Sequence, residues 1–184
     1  MKKAIALLVA VLLLAALCAG CAEKEPADIS VDASDDDPIG GNTTNPLTET
    51  TMDGIMNTIG FYFGVPANAK DLQYFLIRDE IGEMRFTCNG AKMTARIASA
   101  VEFTDISGIY TNFDPALEED VEIGGIAGKL QQGKLDDKTV ELCQWYDVVP
   151  GVMYSLSAEG ADLDGFDITA VADEVYLPMQ KDVG

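Results

Sequence analysis

The feature that most constrains this chain is a succession of short apolar runs joined by very short turns. The runs at 81–88 and 91–98 are separated by Asn89-Gly90 alone, a dipeptide suited to the two positive-φ positions of a tight hairpin. Within 91–98 the residues alternate. Met93, Ala95 and Ile97 share one side, and Lys92, Thr94 and Arg96 share the other, which is the period of a strand with one buried face. Further strand-like runs lie at 61–63, 72–78, 121–123, 127–131, 139–146 and 153–157, with a looser stretch over 105–110. The connections Asp79-Glu80, Gly124-Gly125, Leu135-Asp136-Asp137-Lys138 and Pro150-Gly151 have turn chemistry. Strands joined this tightly pair antiparallel, because a parallel pair needs a long crossover.

Two helical patterns flank these runs. Met52, Ile55, Met56 and Ile59 recur at the spacing of one helical face and end at Gly60. Asn45-Pro46 supplies a cap and a proline for the first turn. Near the other end, Asp164 is the expected cap, with Asp167 at the third helical position. Leu163 and Ile168 form the expected hydrophobic staple, and Ile168, Val171, Ala172 and Val175 the buried stripe. The pattern predicts an α+β fold: a curved antiparallel β-sheet, a meander of about six to eight strands, with an N-terminal and a C-terminal helix packed on it.

Residues 1–20 read as a lipoprotein signal peptide. Lys2 and Lys3 precede an uncharged apolar run over 4–17, shorter than the roughly 18 residues that favour a spanning helix. Ala19-Gly20-Cys21 resembles a lipobox, with Cys18 standing where Leu is usual. Cys21 is the expected lipid attachment site and first mature residue, carrying diacylglycerol and palmitate-type chains. Residues 21–46 hold that Cys and a stretch rich in Asp, Ser, Thr, Pro and Gly. Such a stretch has too little apolar surface to offset its ordering entropy, and is read as a flexible acidic tether. Residues 47–184 form the single α+β domain. The expected location is the extracytoplasmic face of the cell membrane, with the membrane engaged through the N-terminal lipid.

Outside the cytoplasm, Cys88 and Cys143 are a candidate disulfide; the alternative is two small buried hydrophobes. There are 31 acidic residues against 12 basic ones, a formal net charge of −19. That balance argues against nucleic acid, whose phosphates need clustered Lys and Arg, and against docking on anionic headgroups. The chain has no histidine. This removes Ser-His-Asp and Cys-His catalysis and nearly all catalytic zinc sites.

No remaining motif carries chemistry. Gly124-Gly125-Ile126-Ala127-Gly128-Lys129 lacks the first glycine and the Ser/Thr of a phosphate loop. Asp162, Asp164, Gly165 and Asp167 echo part of a calcium loop, but Val171 stands where its closing Glu is needed. No serine sits in a GxSxG elbow. No catalytic residue, cofactor or metal site is therefore expected. Trp145-Tyr146 and Tyr154 form the most distinctive local pattern. They are core residues of a central hairpin on one reading, and part of an apolar ligand surface with Phe61, Phe63 and Met93 on the other.

Glu141-Leu142-Cys143-Gln144-Trp145-Tyr146, then Tyr154-Ser155-Leu156, then Leu163-Asp164 and a helix ending at Val175 together resemble the ending of domain of unknown function 4367. Asp105-Ile106-Ser107-Gly108-Ile109-Tyr110 and the 60–66 stretch fit the same pattern, and the resemblance covers roughly residues 50–178. It implies an envelope location and a curved antiparallel sheet with helices, and brings no catalytic residues. The expected function is a non-enzymatic binding or sensing module of the cell envelope, whose concave sheet face contacts an envelope protein or a small hydrophobic ligand. The alternatives are a carrier of lipid or another hydrophobic molecule, and a calcium-dependent adhesion or structural protein.

Overall fold

The structure, a computed structural model, describes residues 46–178; Cys21, the 22–45 stretch and Asn45 lie outside the described residues. Eight strands form one antiparallel sheet. They are β1 (Leu47–Thr50), β2 (Lys70–Ile77), β3 (Ile81–Cys88), β4 (Ala91–Ser99), β5 (Glu119–Ile123), β6 (Ile126–Leu135), β7 (Lys138–Asp147) and β8 (Val152–Gly160). Two helices, α1 (Met52–Ile59) and α2 (Ile168–Val175), pack against it. The expected α+β class, with one antiparallel sheet and two flanking helices, is the observed one.

The strand order is β1-β2-β3-β4-β8-β7-β6-β5, so the sheet is not one continuous meander. Two four-strand meanders meet along β4 and β8, with Met93 opposite Ala158, Ala95 opposite Leu156 and Ile97 opposite Tyr154. Turn chemistry joins β2 to β4 and β5 to β8, while the connection carrying α1 returns β1 to the edge of β2. At the β3–β4 turn Asn89 and Gly90 have φ of 50° and 88°, the left-handed pair that matches the twist of a two-residue hairpin.

Three local expectations change. Residues 47–50 are a strand rather than the start of a helix, and α1 is capped by Thr51, whose hydroxyl accepts from the Gly54 N–H at 3.1 Å. Residues 61–66 carry no strand and run past α2, where the Gly64 N–H donates to the Val175 carbonyl at 2.8 Å. The cap of α2 is Asp167, which accepts from the Ala170 N–H at 3.0 Å. Asp164 cannot serve, because Gly165 between them sits at φ 75°, a left-handed turn that a right-handed helix excludes.

Strand alternation places the core on one face. Met84, Met93, Ile97, Cys143, Trp145, Tyr154 and Leu156 project from it, and Ile55 of α1 and Ile168, Val171, Ala172 and Val175 of α2 close over them. The stripe expected on α2 is the one buried. Each large side chain taken out of water stabilises the fold by roughly 1.5–3 kcal/mol.

The opposite face is covered as well. Val140, Leu142, Gln144, Met153, Ser155 and Ser157 point away from the helices yet are buried. Residues 100–118, joining β4 to β5, cross this side as a strap. Arg96 donates through Nη1 to the Ile106 carbonyl at 3.0 Å, and Gln144 through Nε2 to Asp105 Oδ1 at 2.8 Å. The Thr111 hydroxyl reaches the Lys134 carbonyl. Beneath the strap Glu83 is fully buried between Arg85 and Arg96, at 2.6 and 2.7 Å.

Candidate functional site

The sheet has two distinct ends. At the upper end the chain enters: Leu47 pairs with Ile77, Ile77 with Ile81, Ile81 with Ala98, and Ala98 with Met153, in one row. The lower end carries the Asn89-Gly90 turn and the 161–167 loop that leads into α2.

A cleft of about 550 Å³ opens at the lower end between that turn, the loop and the first turns of α2. Its side chains include Asn68, Asn89, Asp162, Phe166 and Glu174, with Cys88 among its lining residues. Three of its carboxylates are engaged. Asp162 Oδ1 accepts from the Asp164 N–H at 2.9 Å, and Glu174 Oε2 from the Ala67 N–H at 2.7 Å. Asp167 accepts from the Thr169 hydroxyl at 2.7 Å as well as from the Ala170 N–H. These donors hold its carboxyl below the usual carboxylate range, the Thr169 bond first. The echo of a calcium loop thus resolves into an Asx turn and a helix cap. Among the described residues no three His, Cys, Asp or Glu side chains are grouped to hold a metal.

A second cleft of about 340 Å³ lies across Leu163 and Asp164, which border both. Gln132 and Thr139 line it, and Glu141 neighbours both on the sheet. Glu141 is buried; its Oε1 accepts from Gln132 Nε2 at 3.2 Å, and its Oε2 has no hydrogen-bond partner among the described residues. Burial raises its pKa above the ordinary carboxylate range, Gln132 opposes that shift, and the Asp167 charge adds to it. Sequence reasoning missed this residue. The signal was a Glu at an inward position of an apolar run.

The five residues singled out as a ligand surface are brought together, but as core. Trp145 and Tyr154 are stacked with ring centroids 5.1 Å apart at 3°. Tyr176, just past α2, meets both edge-on at 6.5 and 5.4 Å. Its hydroxyl donates to Asp147 Oδ2 at 2.7 Å. Burial, then this bond, pushes its pKa up to about 12. Phe63 and Met93 are buried and Phe61 is half-buried against the same cluster. None of the five lines either cleft. The face of the sheet that carries Met93, Trp145 and Tyr154 is covered by the two helices.

Cys88 and Cys143 are free, buried thiols, so the candidate disulfide is corrected to the alternative of two small buried hydrophobes. Strands β4 and β8 lie between the strands that carry them. Three inter-strand spacings separate the two by about 14 Å, and a disulfide spans no more than about 7 Å between Cα atoms. Burial, then the Asp173 charge, pushes the Cys143 thiol up to about 12. Burial, then Glu174, raises Cys88.

No family model matches the chain, and no curated protein or solved structure matches it either. No helix among the described residues is long and apolar enough to cross a membrane.

Proposed function

We propose that this chain is an extracytoplasmic lipoprotein, anchored to the cell membrane through Cys21, whose domain is a non-enzymatic binding or sensing module of the envelope. The Lys-Lys leader, the apolar run and Ala19-Gly20-Cys21 support the anchor. The resemblance to domain of unknown function 4367 supports the envelope location. The observation that carries the binding half is the lower-end cleft, which is built between two loops and α2 at the end of the sheet away from the chain's entry. Asp162, Asp167 and Glu174 each accept from a backbone N–H, so the cleft offers a fixed shape with hydrogen-bonding edges. A small polar ligand, or a loop of an envelope protein, fits such a lining.

The test uses the full chain expressed in a bacterium. Mass spectrometry of the membrane fraction is expected to find diacylglycerol on Cys21, and Cys21→Ser is expected to release the protein into the soluble fraction. Native mass spectrometry after mild extraction then reads the domain. A bound small molecule lost on Ala170→Trp, which fills the cleft from an exposed position on α2, supports the reading. A bound lipid unaffected by that change replaces it with the carrier reading. A rise in melting temperature with millimolar calcium, absent with sodium at equal ionic strength, replaces it with the calcium-dependent one.

A further inference from the structure

We propose that the upper end of the domain is a membrane-contact surface, with the tips of two loops resting in the interface of the bilayer to which the chain is tethered. The proposal rests on the anchor reading for the tether and on the domain itself for the surface. Val101 is 95 % exposed, Val148 72 % and Val149 69 %, and Phe103 is exposed beside them in sequence. Val101 and Phe103 open the strap, and Val148 and Val149 tip the β7–β8 turn. The two loops are bound to each other. The Ala100 N–H donates to the Gly151 carbonyl at 2.9 Å, and the Tyr146 hydroxyl to the Ala100 carbonyl at 3.2 Å. A shallow cleft of about 530 Å³ between them is lined by Val101, Pro150 and Gly151.

Two observations select the membrane as occupant. The first is charge. In a chain of 31 acids, residues 99–104 and 148–151 hold a single charged side chain, Glu102. Aliphatic and aromatic tips left uncharged on so acidic a surface fit an apolar medium. The second is where the chain enters. The Arg78 N–H donates to the Pro46 carbonyl at 2.9 Å, and Leu47 pairs with Ile77, so the chain arrives at the end that carries the tips. Twenty-four residues separate Cys21 from Pro46, and a flexible chain of that length has a reach of about 25–30 Å. At that separation a few side chains suffice, because the tether supplies a high effective concentration. Acids at the same end, Asp79 and Glu80 of the β2–β3 turn, disfavour anionic headgroups and leave the uncharged tips to meet a zwitterionic surface, and the lower-end cleft faces outward.

The exposed cysteine of Val149→Cys can be labelled selectively in the processed, lipidated chain, where Cys18 has been cleaved off, Cys21 is blocked by its lipid, and Cys88 and Cys143 are buried; where Cys21 is unmodified, Cys18→Ser with Cys21→Ser keeps the label at position 149. The full chain carrying an environment-sensitive fluorophore at that position is reconstituted in phosphatidylcholine vesicles containing spin-labelled lipid. A second sample carries the label at Asp137→Cys, on the lower end. Several-fold stronger quenching at position 149 than at 137 is expected, weakening as phosphatidylglycerol replaces phosphatidylcholine at low salt. In a chain labelled at Thr104→Cys, Val148→Asp with Val149→Asp is expected to abolish the quenching.

Equal quenching at the two ends overturns the proposal while leaving the anchor intact. An unmodified Cys21 by mass, with tip quenching still present on added vesicles, overturns the anchor and leaves the contact. A blue shift in lipid-free buffer that grows with protein concentration assigns the tips to a second copy. One independent of concentration assigns them to the chain's own apolar run over 4–17. Either of these overturns the membrane assignment.

Discussion

Glu83 tests how the strap side of the sheet is held. Its side chain is 0 % exposed, with Oε1 2.6 Å from Arg85 and Oε2 2.7 Å from Nε of Arg96. Arg96 also holds the strap through the Ile106 carbonyl. Glu83→Ala removes the only acid of this cluster and strands two guanidinium groups. Breaking a buried pair from one side costs about 3–5 kcal/mol. The lower end applies here, because the Arg85 side chain is 43 % exposed and can turn to water, leaving its position over the Phe75 ring. Arg96, at 19 %, cannot do so without displacing the strap. For a domain of about 130 residues, about 3 kcal/mol lowers the melting temperature by roughly 10 °C. Glu83→Gln keeps the shape and one acceptor, and is expected to lose about half as much. Glu83→Leu with Arg96→Met is expected to lie closer to the parent than Glu83→Ala, because an apolar pair of similar volume replaces a buried ion pair at little cost. Circular dichroism melts read the temperatures, and hydrogen exchange at the Ser107 and Ile109 amides reads the strap. A shift under about 3 °C for Glu83→Ala, or a double variant as unstable as the sum of its singles, would refute the reasoning.

Four further outcomes follow from the packing. Gly82→Val should cost about 1–3 kcal/mol by urea denaturation, since a Cβ there would lie 2.6 Å from Ile55 Cγ2 and 3.1 Å from Ile97 Cγ2; an unchanged midpoint would show that α1 is free to shift. Cys88 and Cys143 should resist maleimide at pH 8 when folded and both react in urea, and a folded mass two hydrogens short would contradict their separation. Asp167→Ala should remove about 1 kcal/mol as a lost cap. Because its folded pKa is lowered, the charge-dependent part of that contribution is full above about pH 3.9 and is lost as pH falls through the lower folded value. Glu141 has the opposite sign: its folded pKa is raised, so its buried charge costs stability above that value. Glu141→Gln should therefore melt higher than the parent at pH 7, with the advantage gone below about pH 4.3.

Much of the fold could be read because the signals are local. Alternation over 91–98 fixed which side of β4 is buried, and the Asn89-Gly90 and Gly124-Gly125 turns take the left-handed φ values that make hairpins. The stripe on α2 depends only on helical period, and all four of its residues are buried. The errors came where two local signals competed. Asn45-Pro46 reads as a helix start, yet the Met52 stripe begins six residues later and takes its own cap from Thr51. Asp164 and Asp167 are chemically equal caps, and Gly165 decides between them. At the start of β2, Asp71 at φ 54° breaks the register between Lys70 and Gln73, so the regular alternation begins late.

What could not be read is what joins distant parts of the chain. A turn specifies only the pair of strands it connects, so eight strands joined mostly by short turns, with long connections over 51–69 and 100–118, are equally compatible with one meander or with two joined at their last strands. The selection is made by the middle of the sheet. Strands β7 and β8 are buried in both parities, with Trp145 and Tyr154 on the helix side and Val140, Leu142, Met153 and Ser155 on the other. A strand of that kind needs cover on both faces, which an edge position cannot give. Placing β8 against β4 puts β7 and β8 in the interior of the sheet and leaves the edges to β1 and the charged β5. The long β4–β5 connection must then cross the sheet to reach the far edge, and in crossing it becomes the second cover. The same arrangement buries the Trp145–Tyr154 pair as core, and it leaves the loops at the two ends as the surfaces open to partners.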